Sequence, residues 1–179
     1  MSYKIDIDKG FKLLLCLSPS IIFVNGPPCV GKTYFTNKFK NESISVMELN
    51  NQPINDRRIA YIHKYFKSNE HTSAILKANI SDGADISKIF SKNFTYVFIY
   101  PNSARAYKER LLNAIKTNKK INGIPDDLVD LFNEIKQKEA LGDVDDLLTE
   151  LTTKIINNTR LIYDDHLKLF NNKILLILN

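Results

Sequence analysis

The sequence predicts an α/β fold, a three-layer sandwich in which helices cover both faces of a mostly parallel, five-stranded sheet. The first observation is a set of short apolar segments rich in Ile and Val, which is typical of strands buried on both faces. The second is that helix-like segments separate them, and this alternation favours parallel pairing through right-handed crossovers. The third is the length of 179 residues with an ordinary globular composition, which suits a single domain spanning 1–179.

The strand candidates share short length and an apolar, β-branched composition. They are the segments 21–25, 44–49, 73–80, 96–100 and 174–178. The apolar stretch 11–17 is ambiguous, because it fits either a helix or an edge strand.

The helix candidates repeat apolar residues at helical spacing between these strands. They are the segments 33–39, 56–66, 85–90, 103–117, 125–142 and 143–170. Ser103 is a suitable N-cap residue, and Gly142 is a suitable residue to end the fifth helix. The sixth segment contains Leu161–Asp165, an apolar run ending in two aspartates, and its helical stripe favours a helix over a metal-binding strand.

Composition and charge narrow the class of protein. No apolar run approaches the roughly 20 residues that span a membrane, and no signal peptide is evident. Two cysteines, Cys16 and Cys29, fit a reducing compartment, so a cytoplasmic protein with no membrane partner is predicted. Residues 101–124 carry six Lys or Arg and one acid, which indicates either a solvated helix face or a segment that meets an anion.

Residues 26–33, Gly-Pro-Pro-Cys-Val-Gly-Lys-Thr, match the pattern G-x-x-x-x-G-K-[ST] between a predicted strand and a predicted helix. The glycines let successive N–H groups converge on an anion, and the positive end of the helix faces the same point. In such loops the lysine, Lys32, reaches the β- and γ-phosphates, and the hydroxyl of Thr33 binds Mg²⁺. The alternative is a turn that binds nothing. The predicted ATP-binding residues are Gly26, Pro27, Pro28, Cys29, Val30, Gly31, Lys32, Thr33 and Tyr34.

The two cysteines are expected to differ in reactivity. Cys29 lies inside the loop, where the helix start and Lys32 favour the thiolate, so a lowered pKa is predicted. Cys16 lies in an apolar run and is predicted to be buried and slow to react.

The phosphate loop near the N-terminus, the five strand candidates and a basic helix after the fourth strand resemble the nucleoside-monophosphate-kinase-like group of P-loop kinases. This group includes nucleotide, shikimate and gluconate kinases and polynucleotide-kinase-like and zeta-toxin-like enzymes. The resemblance implies a P-loop NTPase fold, ATP and Mg²⁺ as cofactors, and a lid at about 103–125. It also implies that Arg105 or Arg110 closes on the phosphates as a catalytic residue, although Arg105 could instead form a surface pair with Glu109.

The same resemblance suggests where the phosphoryl acceptor meets the protein. In polynucleotide-kinase-like and zeta-toxin-like enzymes, an aspartate beyond the second strand accepts the proton of the acceptor hydroxyl, which implies that role for Asp56. Arg57 and Arg58 would hold the acceptor, and Glu48 is the rival base or a metal-side carboxylate. Asp82 is a weaker candidate for a metal-side carboxylate that acts through water. The alternative for Asp56 is an acidic residue that stabilises the start of a helix.

The expected function is that of an ATP- and Mg²⁺-dependent phosphotransferase. Its acceptor is a nucleotide, nucleoside, polynucleotide end or small metabolite, and neither this choice nor the preference for ATP over GTP follows from the sequence. The alternative is an NTP-binding or NTP-hydrolysing module that serves a nucleic-acid or protein partner, with the basic segment contacting the nucleic acid.

Overall fold

The computed structural model of the chain describes residues 4–17, 21–42, 45–49, 56–68, 74–78, 94–171 and 173–179. The predicted helix 85–90 and Asp82 lie outside these residues. Within the described part, no helix has the length and apolar character required to cross a membrane.

The sheet is parallel throughout. Its strands are β1 (Ile21–Asn25), β2 (Ser45–Leu49), β3 (Ala74–Ala78), β4 (Phe94–Tyr100) and β5 (Ile174–Leu178). They pair in the order β2-β3-β1-β4-β5, and each neighbouring pair is parallel. The predicted α/β fold with a parallel sheet flanked by helices is therefore confirmed.

Helices connect the strands. They are α1 (Ile7–Leu17), α2 (Lys32–Asn37), α3 (Asp56–Ser68), α4 (Ala104–Lys116), α5 (Val129–Glu139) and α6 (Asp145–Leu169). The ambiguous stretch 11–17 is helical, and Leu161–Asp165 lies within α6 as predicted. Ser103 caps α4, since its Oγ accepts from the N–H of Ala106 at 3.3 Å. The predicted helix 125–142 is shorter, because a 3₁₀ turn at Asp126–Leu128 precedes α5.

Both faces of the sheet are covered, which explains why β1 is buried at every residue. Ile22 and Val24 face a cluster formed with α1, α2, α4 and α5, whereas Ile21 and Phe23 face a cluster that includes Ile62 of α3. Helix α6 joins both clusters, its first half on one face and its C-terminal end on the other.

The strand order creates a crevice at the carboxyl ends of β1 and β4. The chain leaving β1 continues to β2 on one side of the sheet, whereas the chain leaving β4 continues to β5 on the other side. Neighbouring strands whose connections diverge in this way leave a ligand-sized gap between their following loops. The loop 26–31 and the start of α4 border that gap.

Candidate active site

The loop that follows β1 has a backbone that two glycines make possible. Gly31 has φ of 102°, in the region that side chains with a Cβ rarely adopt, and Cys29 is left-handed with φ of 58°. A Cβ at Gly26 would overlap the main-chain oxygen of Ile99. The loop thus turns sharply while lying directly against the backbone of β4.

Side chains distant in sequence donate hydrogen bonds to the main-chain oxygens of Pro28 and Val30 in the loop. Tyr107 of α4 donates its hydroxyl hydrogen to the main-chain oxygen of Pro28 at 2.6 Å. The side-chain amide of Asn179 donates to the main-chain oxygen of Val30 at 2.7 Å, and Arg110 donates to the same oxygen at 3.4 Å. These bonds direct the carbonyls toward the protein, so the loop is fixed before any ligand binds.

A buried polar chain supports the start of the loop. The Oδ1 atom of Asn25 accepts from the N–H of Gly26 at 2.8 Å, and its Nδ2 donates to the hydroxyl of Tyr96 at 3.0 Å. The Tyr96 hydroxyl lies 2.6 Å from Nδ1 of His166, so this buried histidine of α6 belongs to the same polar chain. Burial raises the pKa of Tyr96, so its hydroxyl stays neutral.

Lys32, the lysine of the motif, is folded back onto its own loop. Its Nζ donates to the main-chain oxygens of Gly26 and Pro27, both at 2.6 Å. The side chain is buried, with 8% of its surface exposed, and this burial lowers the pKa of Lys32 to about 7. The nearby charge of Lys77 lowers that pKa further.

Lys77 is a site residue that the sequence analysis missed. It lies near the carboxyl end of β3, in register with Val24 of β1, and its Nζ donates to Oγ1 of Thr33 at 3.0 Å. The sequence does contain one signal for it. Lys77 directly follows Ile75 and Leu76 in a predicted buried strand, a position where an apolar residue is usual.

A cleft of about 340 Å³ opens beside the loop, within the size range of small-molecule sites. Five basic side chains line it, Lys32, Lys77, Arg110, Lys119 and Lys120, and the described lining contains no carboxylate. The other lining residues are Pro28, Cys29, Gly31, Thr33, Tyr34, Ala78, Asn113, Ala114, Ile121 and Asn122. A site with this charge is suited to a polyanion.

The two candidate arginines lie in different places. Arg110 lines the cleft, whereas the side chain of Arg105 is 91% exposed and pairs with Glu109, Nε to Oε1, at 3.3 Å. Arg105 is not among the residues that line the cleft. It forms the surface pair with Glu109 that the sequence analysis gave as the alternative.

The segment predicted as a lid, 103–125, divides into two parts. Helix α4 buries Tyr107, Leu111, Ala114 and Ile115 and packs against α6, so it belongs to the core. Lys119 to Asn122 lie in the loop that follows the helix and line the cleft. Ile121 and Ile124 of this loop pack against the core, so the exposed part of the predicted lid beyond the helix is residues 117–120.

Both expectations about the cysteines are wrong. Burial raises the pKa of Cys29 above its ordinary value, and the opposing charges of Lys32, Lys119 and Arg110 do not compensate for the lost hydration. Cys16 is exposed, because α1 buries the face that carries Ile7, Gly10 and Leu14, and Cys16 points away from that face.

Of the residues predicted to meet the acceptor, Asp56 and Arg57 are described and lie outside the cleft. Both are exposed at the start of α3. Glu48 is in register with Lys77 through the backbones of β2 and β3, but its side chain and that of Arg58 lie outside the description. The roles given to these four residues stay predictions.

Comparison with known proteins adds no assignment. A scan against protein-family models finds no match, and a search of curated proteins finds no significant similarity to this chain. The chemistry of the cleft is therefore the basis for assigning a function.

Proposed function

We propose that this chain is a P-loop kinase, an ATP-dependent phosphotransferase with a P-loop NTPase fold built on a five-stranded sheet. ATP is the phosphoryl donor, and its phosphates bind in the loop 26–33. The observation that carries this proposal is the position of the G-x-x-x-x-G-K-[ST] loop at the mouth of a cleft lined by five basic side chains, with no carboxylate in its described lining.

The main-chain N–H groups of the loop and the ammonium group of Lys32 would hold the donor phosphates. The carbonyl oxygens of Gly26 and Pro27 now accept the hydrogen bonds of Lys32, so phosphate oxygens would replace them as acceptors. Such a replacement turns the lysine toward the ligand and restores its positive charge. Arg110, already at the cleft wall, would neutralise charge that develops on the transferred group, since positioning and electrostatics supply most of this catalysis.

The exposed side of the cleft would close over the phosphates. Lys119 and Lys120 are exposed at its mouth, in the loop that follows α4. Their attraction to a bound polyanion would draw this loop inward and exclude water from the phosphates. The acceptor would then bind beside the terminal phosphate, and its identity remains open among nucleotides, nucleosides, polynucleotide ends and small metabolites.

The described residues around Thr33 offer few ligands for a divalent cation. The Thr33 hydroxyl accepts a hydrogen bond from the ammonium group of Lys77, and the described lining of the cleft offers no carboxylate. Among the described residues there is also no cluster of three His, Cys, Asp or Glu side chains suited to a metal. The described residues at Thr33 supply no carboxylate ligand, and the side chain of Glu48 and all of Asp82 lie outside the description, so no catalytic step is assigned to a metal.

A second candidate, an NTP-binding module that serves a nucleic acid, is favoured by the exposed lysines at and beside the mouth of the cleft. Lys116, Lys119 and Lys120 lie close together at the end of α4 and in its following loop. A phosphate backbone binds such lysines in a salt-dependent manner. This candidate predicts slow ATP hydrolysis that RNA or DNA accelerates, without a labelled acceptor.

A phosphate-transfer screen tests the proposal. Labelled ATP is incubated with nucleosides, nucleoside monophosphates, oligonucleotides with 5′-hydroxyl ends and small metabolites. We expect a labelled product that is lost in Lys32→Ala and unchanged in Lys173→Ala, whose exposed lysine precedes β5 at the opposite end of the sheet. ATP binding without any labelled acceptor would favour the binding module. Full turnover and ATP affinity in Lys32→Ala would exclude the loop as the phosphate site.

A further inference from the structure

We propose that Asn179 is a positioning residue of the phosphate loop. Its side-chain amide sets the orientation of the Val30–Gly31 peptide, so that the Gly31 N–H donates to a phosphate bound in the cleft. The inference rests on the proposed function, because it requires a phosphate anion in the loop 26–33. It gives a role to a residue that directly follows β5 and lies outside the G-x-x-x-x-G-K-[ST] motif.

The fold fixes the backbone of Asn179 beside the loop. Its N–H donates to the main-chain oxygen of Tyr100 at 3.0 Å, and its own main-chain oxygen accepts from the N–H of Asn102 at 3.0 Å. Both bonds tie Asn179 to the end of β4, the strand that pairs with β1 just before the loop begins. From this fixed backbone, the side-chain Nδ2 donates to the main-chain oxygen of Val30 at 2.7 Å.

The bond to the Val30 oxygen also orients the next N–H group. A trans peptide is planar, and its C=O and N–H point in opposite directions. Because the Val30 oxygen is directed at Asn179, the Gly31 N–H is directed away from Asn179. Gly31 lines the cleft, and Asn179 is not among the described lining residues. The Gly31 N–H can therefore meet an anion in the cleft.

Asn179 also restrains the peptide from turning. Gly31 has φ of 102°, and a Cβ at this position would overlap Nδ2 of Asn179, so the amide packs directly against the glycine. Rotation of the Val30–Gly31 peptide would break the bond to Asn179. Arg110 donates to the same oxygen at the longer distance of 3.4 Å and also lines the cleft. If Arg110 turns to a phosphate, Asn179 still holds the Val30 oxygen.

The test combines NMR spectroscopy and calorimetry of the full, ¹⁵N-labelled chain with a non-hydrolysable β,γ-imido analogue of ATP in excess Mg²⁺. In the wild type at saturation, the Gly31 amide proton should shift downfield, because it donates to a charged phosphate oxygen. Asn179→Ala should lose most of this shift and bind the analogue about tenfold more weakly. The amide of Gly142, which is exposed and is not a lining residue of the cleft, is the internal reference and should not shift.

Two further variants separate the hydrogen bond from charge and from folding. Asn179→Asp keeps the shape of the side chain, but its carboxylate cannot donate and repels the Val30 oxygen, so it should lose at least as much affinity as Asn179→Ala. Asn102→Asp adds the same charge at a neighbouring exposed residue and should bind within about twofold of the wild type. Thermal unfolding shows whether each variant is folded before titration, and either Asn179 variant suffices if the other does not fold.

Three outcomes would overturn the inference. Wild-type protein that binds the analogue without a downfield shift of the Gly31 amide would leave ATP binding intact but exclude this N–H as a phosphate donor. A folded Asn179 variant that retains both the shift and the affinity would exclude Asn179 as the residue that orients it. Wild-type protein that binds no analogue would overturn both this inference and the proposed function.

Discussion

The ammonium nitrogen of Lys32 lies 2.6 Å from the main-chain oxygen of Pro27, within the loop that contains both residues. A second main-chain oxygen, that of Gly26, accepts from the same nitrogen. The free protein thus satisfies its motif lysine internally, at the cost of burying an amine that prefers water. Binding of a phosphate anion would exchange these two acceptors for phosphate oxygens. That exchange should change the number of protons bound by Lys32, which can be measured.

ATP binding should be coupled to proton uptake at pH 8.5. The pKa of Lys32 is lowered to about 7, so most Lys32 side chains of the free protein are neutral at this pH. Bound phosphates favour the charged form and raise the pKa, so up to about one proton enters per nucleotide. Calorimetry in buffers of different ionisation enthalpy measures this number. Lys32→Arg, which stays charged, should bind with little uptake, and an absence of uptake in the wild type would contradict the prediction.

Arg110 and Arg105 form a matched pair for mutation, because both are on α4 and only Arg110 lines the cleft. Arg110→Met should weaken ATP binding by about tenfold, since it removes a charge-assisted contact to the phosphates. Arg105→Met should leave the affinity unchanged, because its exposed pair with Glu109 contributes little. Titration with ATP at fixed salt distinguishes them. Equal losses in both variants would indicate a general charge effect in place of a specific contact.

The Tyr107 hydroxyl should contribute to stability through the loop. Burial raises the pKa of Tyr107, and its neutral hydroxyl donates to the main-chain oxygen of Pro28. Tyr107→Phe leaves that buried oxygen without this donor, so the free energy of unfolding should fall by about 1–3 kcal/mol. Urea unfolding provides the measurement. The control is Tyr61→Phe on α3, where the side chain is 62% exposed and little change is expected; equal stabilities of the two variants would argue against the bond.

The cysteines should react in the order Cys16 before Cys29. Cys16 is exposed on α1, whereas Cys29 is partly buried and its pKa is raised, so less of it is thiolate near neutral pH. Brief iodoacetamide treatment followed by mass spectrometry gives both rates. Bound ATP should slow Cys29 further by covering the cleft and leave Cys16 unaffected. Faster reaction of Cys29, or the same rate with and without nucleotide, would contradict this arrangement.

The sequence by itself predicted the strands and most of the helices that the structure describes, and it located the loop between β1 and α2. Short apolar segments rich in Ile, Val and Leu predict buried strands, and helical spacing of Tyr107, Leu111 and Ala114 predicts the buried face of α4. Ser103 at its N-cap and the alternation of strands with helices are equally local signals. These features depend on residues a few positions apart, so periodicity and residue type are sufficient to predict them.

Only the tertiary structure decided which charged groups meet at the cleft. Lys77 contacts Thr33 across 44 residues, Tyr107 contacts Pro28 across 79, and Arg110 contacts Val30 across 80. Each contact depends on the strand order, which brings β3 and β4 to either side of β1. Burial also decided the pKa of Cys29, because the loss of hydration at a site depends on everything packed around it. Spacing along the chain contains no information about these distances, since they arise only when the sheet assembles.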